Sequence, residues 1–230
     1  MNTDPGEHAL DGYLALLRDR PDWFINHPAG GIEILTNPGE IALARAAVLS
    51  HRAAAGLDVS DTRAGLLAKD PYMTVVRDAV RFPDGSLGLY NRIVETSPVA
   101  VLPLLDDLPV LIRVFRHGLR DWSLEFPRGG ADRGETPEAA ARREVIEETG
   151  ATKAELQPLG EFTPGGSSLS IRAHLFVARI DQIGVSDPLE GIEEAQAYPV
   201  ADVERLIGDG VIIDGFTMAL FLRARLRQLI

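Results

Sequence analysis

The sequence predicts an α/β protein with a helical extension in front of it. Three observations predict this. Apolar runs and alternations between residues 72 and 200 read as a series of strands. One helix, signalled at both of its ends, interrupts that series at residues 136–150. Residues 1–65 instead carry helical spacing, so the chain is read as an extension, 1–65, and a main domain, 66–230.

The bulk properties narrow the function. A chain of 230 residues can build one sizeable core and an appendage. A net charge of −11 argues against duplex DNA or RNA as a partner, because phosphate backbones attract basic surfaces. A small anionic substrate stays compatible where bound cations reverse the local sign. The chain has no cysteine, which removes disulfides, thiolate zinc sites and thiol nucleophiles and makes a cytoplasmic setting the expectation. The N-terminus carries Asp4 and Glu7 without an apolar core, so no signal peptide is expected. The longest apolar run, residues 99–105, is too short to span a membrane.

In the extension, Leu10, Tyr13, Leu14, Leu16 and Leu17 have helical spacing and Arg20-Pro21 stops the helix. Residues 22–25 read as an apolar plug or a short turn of helix. Asn37-Pro38-Gly39-Glu40 opens a second helix, with Asn37 as N-cap, Pro38 in the first position and Glu40 reaching back as in a capping box. That helix is expected to run to about Ala55 and to leave through Gly56. Its apolar face needs burial against the main domain or a second subunit.

The strands follow. Residues 72–76 and 80–82 lead into a Pro83-Asp84-Gly85-Ser86 turn, and residues 87–94 return as the partner. Residues 99–104 and 109–115 pair across Asp106-Asp107, and residues 122–127 form a short strand. After the central helix come strands at 156–162, 173–180 and 197–200, with an acidic loop at 187–194. Helices follow at about 203–207 and from Asp214 onward.

The central helix carries the chemistry. The stretch from Gly129 to Ala151 reads Gly, five residues, Glu135, seven residues, Arg143-Glu144, two residues, Glu147-Glu148, one residue, Gly150. Thr136 is an N-cap, Pro137 suits the first position, and Gly150 provides a left-handed exit. On a helical wheel Glu148 and Glu147 lie about 40° and 60° to either side of Glu144, so three carboxylates share one arc. Like charges so placed disfavour a bare helix by about 0.2–0.5 kcal/mol per pair. Hard oxygen donors at this density suit Mg²⁺ or Mn²⁺. Ala140 and Ala141 are expected to leave room for a ligand, while Ala139, Val145 and Ile146 face a core. An acidic run alone reads as a solvated helix face. The fixed spacing of Gly129, Glu135 and Gly150 around it points to a built site.

This stretch resembles the Nudix box, the signature of hydrolases that cleave a nucleoside diphosphate linked to another group. Only Ala151 departs from it, at a position that favours a larger aliphatic residue. The resemblance implies an α/β/α sandwich with a mixed sheet and metal-dependent hydrolysis of a small nucleoside diphosphate. It assigns the metal to Glu144, Glu147 and Glu148 and to the carbonyl of Arg128, with Arg143 orienting Glu147. The Phe-Pro-Asp-Gly hairpin, Pro164-Gly165 and the C-terminal helix are similar to the subgroup that hydrolyses ADP-ribose and nucleotide sugars. The glutamate that subgroup carries after its Pro-Gly loop is missing from Leu169-Ser170-Ile171-Arg172. The general base of the subgroup sits on the late acidic loop, which here offers Glu193 first and Glu190 second. Arg116, more weakly Arg92, and the loop Arg128-Gly129-Gly130 are the candidates for holding substrate phosphates. Homodimerisation is implied by resemblance alone. The competing readings are a Nudix hydrolase of nucleoside triphosphates or dinucleoside polyphosphates, and a non-catalytic Nudix domain that senses a nucleotide. The five histidines have no ligand spacing, and no serine-hydrolase motif is present.

Overall fold

The computed structural model describes residues 5–95, 98–132 and 134–230, so Asp4 lies outside the described residues. The chain forms two compact units, Met1–Glu95 with Gly165–Ser170, and Thr96–Pro164 with Ile171–Ile230.

The first unit holds α1 (Pro5–Asp19), a 3-10 turn (Pro21–Phe24), β1 (Glu33–Ile34), α2 (Pro38–Ala54), β2 (Gly65–Lys69), β3 (Met73–Arg81) and β4 (Leu87–Glu95). Strand β3 is central, with β1 and β2 along one side and β4 along the other, all antiparallel. Tyr13, Leu16, Phe24, Ile41, Val76 and Ala79 make its core. The sequence suggested two segments between residues 72 and 82, and the structure joins them into one strand. The polar Asp78 does not break it because its buried carboxylate is satisfied. Tyr13 donates to Asp78 at 2.5 Å, and Arg92 donates to both of its oxygens at 2.8 and 3.2 Å. Burial, then the neighbouring Asp78 carboxylate, push the Tyr13 hydroxyl pKa upward. Asn37 caps α2 by accepting from the Gly39 N–H. Glu40 differs from expectation: it pairs with Arg81 at 2.9 Å instead of reaching back to the cap. The guanidinium offers a stronger, charged partner there, and Glu33 shares it. β1 and β2 are too short to announce themselves by alternation.

The second unit contains β5 (Pro98–Leu105), β6 (Leu108–Arg116), β7 (Asp121–Glu125), β8 (Arg128–Gly130), α3 (Pro137–Thr149), β9 (Ala154–Phe162), β10 (Ala173–Ile180), a 3-10 turn (Pro188–Glu190), β11 (Ile192–Ala197), α4 (Val200–Gly208) and α5 (Gly215–Leu226). The sheet order is β11-β6-β5-β10-β9, with β7 also on β6 and β8 also on β5. It is mixed, since β10 runs parallel to β5 and antiparallel to β9. Alternation along β5 explains the layers. Val99 and Val101 pack with Ala140, Ala141 and Val145 of α3, whereas Ala100, Leu102 and Leu104 pack with Val203, Leu220 and Phe221 of α4 and α5. The unit is therefore an α/β/α sandwich. Asp106 and Asp107 turn β5 into β6 with φ of 51° and 64°, a tight-hairpin conformation open to aspartate.

Two expectations are corrected here. The last strand is β11, Ile192–Ala197, because Pro199 ends sheet pairing and Val200 already begins α4. Glu193 and Glu194 thus belong to a strand instead of a loop. Ala140 and Ala141 do not make room for a ligand: both are fully buried, and their small size lets α3 lie close on the sheet, while Ala139 is exposed.

Candidate active site

Helix α3 is held at both ends as its sequence demands. Thr136 accepts from the Ala139 N–H at 3.2 Å. Gly150 takes the left-handed conformation, φ 68°. The segment after β10 is then tied to the helix C-terminus. The N–H of Gly184 donates to the Thr149 carbonyl, the Ser186 hydroxyl to the Glu148 carbonyl, and the N–H of Asp187 to the Glu147 carbonyl, at 2.8–2.9 Å. These bonds use orphan carbonyls of the last turn and carry Glu190 towards the acidic face of α3.

Glu144 and Glu148 are 6% and 2% exposed, an unusual fate for carboxylates. Burial pushes the Glu148 pKa up to about 8, and the charge of Glu144 adds to the shift. The charge of Arg116 and the Arg128 N–H, which donates to Glu148 at 2.9 Å, oppose it. Burial likewise raises Glu144, against the pull of Arg143. The charge of Glu190 raises both. Two buried carboxylates with a third acid facing them form a site that a cation would relieve.

Arg143 organises the rest. Its guanidinium contacts Glu144 at 2.8 Å, Glu147 at 3.0 Å, Glu135 at 3.1 Å and the Gly130 carbonyl at 2.8 Å. Glu135 also accepts from the Asp132 N–H at 2.9 Å, so it ties down the loop before the helix. Gly129 sits against Glu144 so closely that a β-carbon there would overlap the carboxylate. The residues fit a divalent cation on chemistry: hard oxygen donors, two of them buried with like charge, beside a backbone cradle without a side chain. Among the described residues no three acidic or imidazole groups already converge on one point. Arg143 occupies part of the acids' capacity instead.

Beside this cluster lies a cavity of about 400 Å³, lined by Arg116, Ser123, Glu125, Arg128, Leu119 and Ile213 among others. Arg116 donates to Glu125 at 2.8 and 2.5 Å, and Arg128 to the same oxygen at 3.2 Å. Arg128 also lies 3.6 Å from Asp214 and stacks over Phe216. Burial pushes the Glu125 carboxyl up, but the hydrogen bonds and charges of Arg116, Ser123 and Arg128 outweigh it, and the net shift is downward.

Among the residues singled out from sequence, the second unit thus brings together Arg116, Arg128, Gly129, Gly130, Arg143, Glu144, Glu147, Glu148 and Glu190. Glu193 is ion-paired with Arg113, on a strand whose neighbour Trp122 also stacks on that arginine. Arg92 belongs to the first unit, where Asp78 and the Trp23 carbonyl engage its guanidinium. Glu125 and Asp214, placed from sequence only on a strand and at a helix start, also line the cavity. A lone acid inside Trp-Ser-Leu-Glu-Phe was the available signal for Glu125, because a buried charge requires a partner.

The Nudix domain family model matches residues 96–216, more than half of the chain. The chain belongs to the Nudix hydrolase family. Nudix relatives include the ADP compounds hydrolase NudE of Escherichia coli (strain K12), 31% identical over 62% of this chain and 78% of the relative. The ADP-ribose pyrophosphatase of Bacillus subtilis (strain 168) is 28% identical over 54% of this chain and 66% of the relative, just under two thirds of its length. A solved ADP compounds hydrolase superposes with a TM-score of 0.60 at 25% identity, covering 70% of this chain and 88% of that one. Among the described residues no helix is long and apolar enough to cross a membrane.

Proposed function

We propose that this Nudix hydrolase cleaves the diphosphate bond of ADP-ribose or a related nucleoside diphosphate sugar, releasing a nucleoside monophosphate and a sugar phosphate. The observation that carries the reading is the buried pair Glu144 and Glu148, faced by Glu190 and adjoining a cavity with two arginines. The names of the relatives support the choice of an ADP-linked substrate. Glu144, Glu147 and Glu148, with the backbone at Arg128, would hold Mg²⁺ or Mn²⁺. When bound, such an ion neutralises charge on the phosphate oxygens and acidifies a water.

The chain's own residues supply the rest. Arg143 orients Glu144 and Glu147 through its ion pairs with both. Arg116 and Arg128 present guanidiniums to the phosphates. Glu190, whose charge both buried acids feel, takes the proton of the attacking water in this reading, ahead of Glu193. A cytoplasmic location and a small-molecule partner belong to the same proposal.

The test is a panel of ADP-ribose, other nucleoside diphosphate sugars, nucleoside triphosphates and dinucleoside polyphosphates, with Mg²⁺ or Mn²⁺ and chromatographic analysis of products. Release of AMP and ribose 5-phosphate from ADP-ribose is expected. Turnover confined to triphosphates or dinucleoside polyphosphates would refute it.

A further inference from the structure

Arg116 and Arg128 sit on different elements, the end of β6 and the loop strand β8, yet both lean on one oxygen of Glu125. That carboxylate is 1% exposed. The Arg116 and Arg128 side chains are 24% and 28% exposed and line the same cavity. The Nη1 group of each makes no hydrogen bond among the described residues. Glu125 thus engages one side of each guanidinium, and both side chains line the cavity. Two guanidiniums this close repel each other. A single buried anion between them offsets that repulsion and fixes both side chains, which otherwise lose rotamer freedom when they bind. The strand supporting Glu125 is itself anchored, since the next residue, Phe126, donates its N–H to Thr217 of α5 at 2.9 Å.

We infer that Glu125 is a positioning residue that assembles Arg116 and Arg128 into one preorganised clamp for the anionic part of the substrate. It touches neither substrate nor reacting atoms; it sets where the two cations point. The inference rests on the proposed function for the identity of the substrate, but the clamp is a property of the cavity and is measurable without turnover.

Two measurements test it. The first is calorimetric binding of inorganic pyrophosphate, without added metal, to wild type, Glu125→Gln, Arg128→Leu and the double variant. Glu125→Gln keeps the size and a hydrogen-bonding oxygen but removes the charge. A tenfold or greater loss of pyrophosphate affinity is expected for Glu125→Gln and for Arg128→Leu. The double variant should be little weaker than either single one, because both break the same clamp. Arg128→Leu retains packing on Phe216, so it keeps the test alive if Glu125→Gln folds poorly. The second is steady-state kinetics on ADP-ribose. KM should rise about tenfold in Glu125→Gln while kcat and the half-saturating Mg²⁺ concentration change far less; Glu125→Asp should recover part of the loss. Equal falls in kcat and kcat/KM, or a matching rise in the Mg²⁺ requirement, would point to a merely structural role and overturn the inference. So would additive losses in the double variant, or no detectable pyrophosphate binding by wild type. Failure of ADP-ribose turnover with intact pyrophosphate coupling sinks the substrate assignment and leaves the clamp standing.

Discussion

Gly129 backs directly onto the carboxylate of Glu144, leaving no volume for a β-carbon between them. The group that would be displaced is the flexible end of a side chain, so the fold can absorb the change but the acid cannot keep its place. Gly129→Ala should therefore leave the melting temperature within about 2 °C of wild type, in keeping with a surface-scale effect. The Mg²⁺ or Mn²⁺ concentration for half-maximal activity should rise at least tenfold. A metal titration beside a thermal melt checks this. A variant with unaltered metal dependence would show that Glu144 does not need its present position.

Gly150 presents the opposite case. Its β-carbon would meet backbone atoms of Gly184 and Val185, and its φ of 68° is strained for an L side chain. Neither neighbour can swing away, because the Gly184 N–H is bonded to the Thr149 carbonyl at 2.9 Å. Gly150→Ala is expected to cost about 2–4 kcal/mol of unfolding free energy in urea, combining backbone strain with overpacking. A cost under 0.5 kcal/mol would refute the close approach.

Glu148 is costly to the metal-free protein, since it is buried beside Glu144 with its pKa raised to about 8. Glu148→Gln removes an acid that must take up a proton to be buried there and keeps an acceptor for the Arg128 N–H. Without metal, the variant should melt no lower than wild type, with a gain on the order of 1–2 kcal/mol. Added Mg²⁺ should raise the melting temperature of wild type and not of the variant. Turnover of ADP-ribose should fall by about 10²-fold or more. Loss of stability in the metal-free variant would contradict the strained-acid account.

How much of this was legible in the sequence depends on how local the signal is. The caps of α3, Thr136 and Gly150, and the face shared by Glu144, Glu147 and Glu148 follow from helical geometry, and all lie within one short stretch. The role of Glu190 relative to Glu193 is not local. Both lie near the same turn, and only the Ser186 and Asp187 bonds to the end of α3, together with the Arg113 pairing of Glu193, separate them. Glu40 shows the same limit: its spacing fitted a capping box, but Arg81, far along the chain, competes better for it. Glu125 offered only a lone acid in an apolar strand as a local signal, and its meaning comes from two arginines on other elements.

Asp181 gives a pH-dependent prediction away from the acids of α3. The Thr152 hydroxyl, then the N–H groups of Lys153 and Thr152, hydrogen-bond its carboxylate and hold its pKa down at about 2. The unfolded value is about 3.9. A depressed folded pKa means the stabilisation is complete above about pH 4 and is lost as pH falls through 4 towards 2. Carboxyl NMR titration should give a midpoint near 2 for Asp181. The stability difference between wild type and Asp181→Asn should shrink over that window. A midpoint near the unfolded value would remove the claim.

The two late acids separate by environment. Glu190 acts electrostatically on both Glu144 and Glu148, and the glycine after it anchors the turn by accepting from the Phe115 N–H at 3.1 Å. Glu193 has its charge committed to Arg113 on the neighbouring strand and is half exposed. Exposed pairs of that kind contribute about 0.2–1 kcal/mol, so Glu193→Gln should change little beyond a local loosening of β11. If Glu190 takes the proton of the attacking water, Glu190→Gln should lower kcat by about 10²–10⁴-fold with a small change in KM. Parallel kcat and KM measurements of the two variants on ADP-ribose decide between them. A near-normal kcat in Glu190→Gln and a large loss in Glu193→Gln would reverse the assignment, and would require Glu193 to leave Arg113 when substrate binds.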